Sequence, residues 1–120
     1  MTDPHILSMR IDESLCFFNA AYLEDTVFAQ AALREGLKHV ILMCPAVNAI
    51  DLSALEALEE INTRLKENDV ALHLSEVKGP VMDALKRSDF LSHLSGEIFL
   101  SHHHAVMALT TRETADPALT

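Results

Sequence analysis

The sequence predicts an α/β fold built on a single mixed β-sheet of about five strands, with about four helices packed mainly on one face. Three observations carry this. From residue 22 onward, apolar segments of strand length alternate with segments of helical spacing. The connections between them are long enough to hold a helix, as parallel neighbours require. Finally, Val40, Ile41, Leu42 and Met43 form a continuous apolar run rich in β-branched residues, the pattern of a strand covered on both faces.

The elements follow in order. Residues 6–11 (ILSMRI) are short, apolar and flanked by Pro4 and Asp12, and read as a strand. Asp12, Glu13 and Ser14 make a polar turn, and the apolar run Leu15, Cys16, Phe17, Phe18 follows. Residues 6–18 are therefore expected to form an N-terminal β-hairpin, which makes the sheet mixed while the later strands are mainly parallel. Asn19 to Ala21 reads as a junction. Leu23, Val27 and Ala31 then share a helical stripe, widened by Phe28 and Ala32 and closed by Gly36. After the 40–43 strand, Pro45 ends the extended run, and Ala54, Leu58, Ile61 and Leu65 form the next helical stripe with Leu55 beside it. Residues 70–74 (VALHL) read as a strand, and Lys78-Gly79-Pro80 as a strand-to-helix turn with Pro80 in the first helical turn. Val81, Ala84 and Leu85 face a core; Gly96 breaks the connection, and Ile98, Phe99 and Leu100 form the last strand. Ser101 is placed to cap a final helix with Ala105, Val106 and Leu109 inward.

At 120 residues the chain suits one domain, large enough to bury about two thirds of its unfolded surface. We place that domain at 6–110, with flexible tails at 1–5 and 111–120. Eighteen acidic residues against nine basic ones give a formal charge of −9, which opposes binding to nucleic acid and to anionic lipid. No apolar run approaches the roughly 18 residues that a membrane helix needs, and the N-terminus lacks the basic start and long apolar core of a secretion signal. The expectation is a water-soluble piece. Cys16 and Cys44 each lie in apolar runs without CxxC spacing, and read as buried free thiols suited to a reducing compartment.

Chemistry is sparse. The three glycines, at 36, 79 and 96, form neither a GxGxxG nor a GxxxxGK[ST] loop, so no cofactor is expected; weak nucleotide contact at a helix start is left open. His102, His103 and His104 are consecutive and point about 100° apart on a helix, so surface imidazoles are favoured over a metal site. Ser53, Cys16 and Cys44 have no histidine base beside them by sequence and no GxSxG elbow. No catalytic residue is assigned, and a non-enzyme is favoured.

The turn at Asn48, Asp51 and Ser53 has two readings. Ser53-Ala54-Leu55-Glu56 fits a capping box, so Ser53 is expected as the helix N-cap. Alternatively its hydroxyl is a docking contact or a phosphorylation site, where a phosphate would meet a favourable helix end and an unfavourable Asp51. The turns at Asn19, Ala20 and Tyr22 and at Asn48, Asp51 and Ser53 both join strand ends to helix starts, and are expected to form one exposed binding edge.

Several phrases together carry a resemblance: DPHILSMRIDESLCFFNAAYLED at 3–25, VNAIDLSALEALEEIN at 47–62, EVKGPVMDALKRSDFL at 76–91 and GEIFLSHHHAVMAL at 96–109. They resemble the cytoplasmic C-terminal STAS domain of SulP-family anion transporters, the sulfate permeases, over nearly the whole chain. The resemblance implies a STAS-like sheet and a place at the cytoplasmic face of a bacterial inner membrane. It also implies a membrane part preceding residue 2 in the same transporter, and a regulatory or protein-interaction role with a cytosolic protein partner rather than passage of the anion. More distantly it is similar to freestanding anti-sigma factor antagonists. Ser53 in Asp51-Leu52-Ser53-Ala54 matches their phosphorylated serine by position, while Leu52 and Ala54 depart from their pattern.

Overall fold

The computed structural model describes residues 4–12 and 17–115, with side chains at 4–12 and 19–111. In order, the elements are β1 (Ile6–Arg10), α1 (Phe17–Ala32), β2 (His39–Met43), α2 (Leu52–Glu67) and β3 (Ala71–Ser75). They continue with α3 (Gly79–Arg87), α4 (Phe90–His93), β4 (Ile98–Phe99) and α5 (His102–Ala115). Among the described residues the sheet has four strands in the order β1-β2-β3-β4, and all three pairings are parallel.

That order explains the layers. Right-handed crossovers that always step to the next strand in the same direction must put every connecting helix on one face. α1, α2, α3 and α4 accordingly share a core with Leu7, Val40, Leu42, Leu72 and Leu74, centred on Val27, Leu58, Ile61, Leu85 and Phe90. α5 follows the last strand and lies on the opposite face, where Ala105 and Leu109 close over Ile6, Ile41 and Phe99. The alternation of side chains along β2 feeds both cores: Val40 and Leu42 face one, Ile41 the other, and all three have no exposed surface.

The α/β architecture and the helix-rich face agree with the sequence reading, but the N-terminal hairpin does not. Phe17 and Phe18 open α1 instead of forming a second strand, and the Asn19 to Ala21 junction is part of the same helix. Residues 13–16 of that expected hairpin lie outside the described residues. A short apolar run fits either period; here the buried positions Ala20, Leu23 and Val27, spaced by three and four, take the helical one. At the other end α5 continues to Ala115, past the boundary at 110.

Two turns are built under steric constraint. α2 ends in a Schellman arrangement in which the Asp69 N–H donates to the Lys66 carbonyl at 3.0 Å and the Val70 N–H donates to the Leu65 carbonyl at 2.9 Å. Asp69 takes the left-handed position at φ 61° where glycine is usual. The loop between α4 and β4 is pinned by Asn62, a buried residue of α2. Its amide donates to the His93 carbonyl at 2.8 Å, and its oxygen accepts from the Ser95 N–H and the Ser95 hydroxyl, both at 3.0 Å. The next residue, Gly96, runs so close to β3 that a β-carbon there would collide with the Leu72 carbonyl oxygen and the His73 ring. Gly96→Ala should therefore destabilise the fold by about 2 kcal/mol, within the ordinary range for overpacking. Urea denaturation measures it, and a change under about 0.5 kcal/mol would show that the loop can step aside.

Candidate functional site

Parallel pairing of β1 with β2 places the start of α1 and the β2–α2 turn at the same edge of the sheet, the carboxyl ends of the strands. The structure thus brings the two expected turns to one edge. Within it, Asn19 is half-buried and Ala20, at 9% exposure, is buried, whereas Tyr22 is 73% exposed. Tyr22 and Asn19 border a shallow depression of about 230 Å³ with Met9, Arg10, Asp12 and Thr26. An exposed ion pair, Arg10 to Asp12 at 2.8 Å, forms its rim.

The second turn differs from expectation in one respect. The N-cap of α2 is Asp51, not Ser53: the Asp51 carboxylate accepts from the Ala54 N–H at 2.9 Å, and the Leu55 N–H donates to the Asp51 carbonyl at 3.0 Å. The helix starts at Leu52, so the Ser53–Glu56 capping box cannot form. Asp and Ser are nearly equal caps, but the carboxylate also gains from the positive helix end. Ser53 sits in the first turn, half-buried. Asn48 is exposed and accepts from the Lys78 ammonium at 2.7 Å, which clasps the β2–α2 turn to the β3–α3 turn. Leu52, 71% exposed at the first position of α2, is an edge residue that the sequence reading marked only as a departure from the antagonist pattern.

Nothing at this edge assembles a reaction centre among the described residues. The three consecutive histidines diverge: His102 meets the Ser8 hydroxyl at 2.7 Å, His103 is exposed, and His104 packs edge-on against Phe99. Among the described residues no three His, Cys, Asp or Glu side chains are grouped to hold a metal ion. Cys44 is buried at the end of β2, and burial, with Glu76 beside it, pushes its thiol up to about 12. Such a thiol has little nucleophilic character. Among the described residues the strand order never reverses, unlike the open α/β folds whose ligands bind where the order reverses.

Comparison with known proteins decides the family. The sequence profile of the STAS domain matches residues 2–105. This chain belongs to the STAS domain family. The domain is 32% identical over 118 residues to a protein named probable sulfate transporter 3.4 from Arabidopsis thaliana, an alignment covering 90% of this chain and 18% of that one. The chain thus spans about a fifth of the length of the curated relatives it matches. In structure the STAS domain is similar to that of a SulP transporter from Vibrio cholerae, with a TM-score of 0.80 at 17% identity over 97% of this chain and 89% of that one. It is also similar to a putative anti-sigma factor antagonist from Thermotoga maritima, with a TM-score of 0.76 at 15% identity over 92% and 91% of the two chains. No helix among the described residues is long and apolar enough to cross a membrane.

Two outcomes are expected from this geometry. Asp51→Ala should cost about 1 kcal/mol as a lost N-cap, and Ser53→Ala clearly less; chemical denaturation of both variants checks the order, and equal losses would restore Ser53 as the cap. Burial keeps the Cys44 thiol protonated in the folded domain at about pH 8. Cys44 should therefore resist iodoacetamide until denaturant is added, as mass spectrometry of the labelled peptide would show.

Proposed function

We propose that this STAS domain is a non-catalytic regulatory and protein-interaction module of a SulP-type secondary anion transporter, acting at the cytoplasmic face of a bacterial inner membrane. Its partners in this reading are the membrane part of the same transporter and a cytosolic protein. The observation that carries it is the identity of 32% and 33% to relatives named as sulfate transporters, aligned across about nine tenths of this chain. The chemistry of the edge agrees. It offers an exposed aromatic and an exposed leucine, Tyr22 and Leu52, framed by charged and amide groups, which suits contact with another protein surface. The formal charge of −9 opposes nucleic acid as a partner.

A second reading, a freestanding switch like the anti-sigma factor antagonists, is favoured by the structural similarity to one such protein and by the place of Ser53 in the first turn of α2. A phosphate on Ser53 would lie near the N–H groups of that turn and near the Asp51 carboxylate, so attraction and repulsion would oppose each other. Weak nucleotide contact at a helix start is open to either reading.

The deciding experiment is anion uptake by the full-length protein carrying Tyr22→Ala with Leu52→Ala. Both side chains are mostly exposed, so stability should change by less than about 0.5 kcal/mol per site, while uptake should fall several-fold at unchanged membrane abundance. Unaltered uptake in the double variant would remove this edge as the working surface. Loss of uptake in Ser53→Glu alone would favour the switch.

A further inference from the structure

The histidines of the sheet, distinct from the edge above, form a chain whose protons can be placed. His73 of β3 is 3% exposed. Its Nδ1 accepts from the main-chain N–H of Glu97 at 3.0 Å, so Nδ1 carries no proton and the neutral ring holds its proton on Nε2. That Nε2 lies 3.0 Å from Nδ1 of His39 on β2 and must donate to it, which leaves Nδ1 of His39 unprotonated as well. A solvent proton added to either Nδ1 sets N–H against N–H: on His73 it ends the bond from Glu97, and on His39 the bond from His73. The alternative tautomer of His73 fails for the same reason. Only the doubly neutral pair satisfies both contacts.

We propose that this His39–His73–Glu97 chain is an acid-sensitive latch that fastens β4, and through it α5, to the sheet. β4 is only two residues long and pairs with β3 through Leu74–Ile98 and Ser75–Phe99. The same stretch contributes the Leu74 N–H donation to the Glu97 carbonyl at 3.1 Å. Gly96 holds this segment against the His73 ring, so movement of the ring is felt by the main chain. Phe99 then transmits the state to α5, its ring 5.6 Å from that of His73 and 5.4 Å from that of His104. Charged and titratable groups near the pair include Glu97 from the loop, His104 from α5, and Lys38, Lys66 and Asp69 in the depression beside His39. Both signs of charge are present there, and the two hydrogen bonds set the direction of the response.

The sign follows from which state takes the proton. The latched pair binds none and the opened pair does, so opening is favoured as pH falls through the ordinary imidazole range, about 6.5. For one imidazole released to that value, the opening constant rises about tenfold between about pH 7.5 and pH 5.5, and more if both titrate. Amide hydrogen exchange on the 120-residue chain, corrected for the intrinsic pH dependence, reads this directly. The Glu97 N–H should lose about tenfold protection over that interval while the Leu42 N–H, in the middle of β2, keeps its own. His73→Gln, which retains one acceptor and one donor but does not titrate, should flatten the Glu97 profile. Should that variant not fold, ring nitrogen shifts of the wild-type His73 replace it, with a second proton appearing only as Glu97 opens. Protection of Glu97 that does not change with pH, an equal loss in His73→Gln, or a doubly protonated His73 with Glu97 still protected would each overturn the latch.

Discussion

The parallel pairing of β2 with a neighbour on each side is the constraint from which the rest of the molecule follows. With Val40, Ile41 and Leu42 wholly buried, each such side chain contributing about 1.5–3 kcal/mol on leaving water, the strand must be covered above and below. The stepwise order β1-β2-β3-β4 then dictates that the crossovers supply only one of those covers. The second must come from beyond the last strand, and α5 supplies it. The same order collects the strand-to-helix turns at the carboxyl edge of the sheet.

Polar groups do a different job from the apolar core. Asn62 is buried, yet its side-chain bonds run to the end of α4 and to the loop before β4. Leaving such a group unpaired costs about 1–3 kcal/mol, so the loop is fixed in one place more firmly than its few apolar contacts would achieve. That fixed loop is what allows Gly96 to lie against His73 and the Glu97 N–H to reach its ring. The direction of the hydrogen bonds, not the burial alone, sets the protonation state of the histidine pair.

Much of this was legible in the chain. The apolar run at 40–43, the stripe through Ala54, Leu58, Ile61 and Leu65, Pro80 in a first turn and Ser101 as a cap all matched what the structure shows, with the Ser101 hydroxyl accepting from the His104 N–H at 3.0 Å. What could not be read was local choice between near-equal options. Phe17 and Phe18 suit a strand or a helix, and only the continuation through Ala20, Leu23 and Val27 distinguishes them. Asp51 and Ser53 are both good caps two residues apart, and the stripe they precede has the same phase either way. The pairing of His39 with His73 depends on the β2–β3 register, which puts His39 opposite Ala71 and His73 opposite Ile41; no spacing in the sequence announces a contact between strands separated by a helix. The exposure of Leu52 is likewise invisible until the residue that begins the helix is known.

The uneven covering of the sheet has a consequence for how the molecule assembles. The β2–α2–β3 unit joins segments adjacent in sequence, whereas the smaller core brings Ile6 to Ala105 and Leu109, across nearly the length of the chain. Closing that long loop costs more entropy before any contact repays it, and a single helix then repays it. The α5 side is therefore expected to be the last part to consolidate and the first to loosen, a seam along which the molecule can yield while its helix-rich half stays folded.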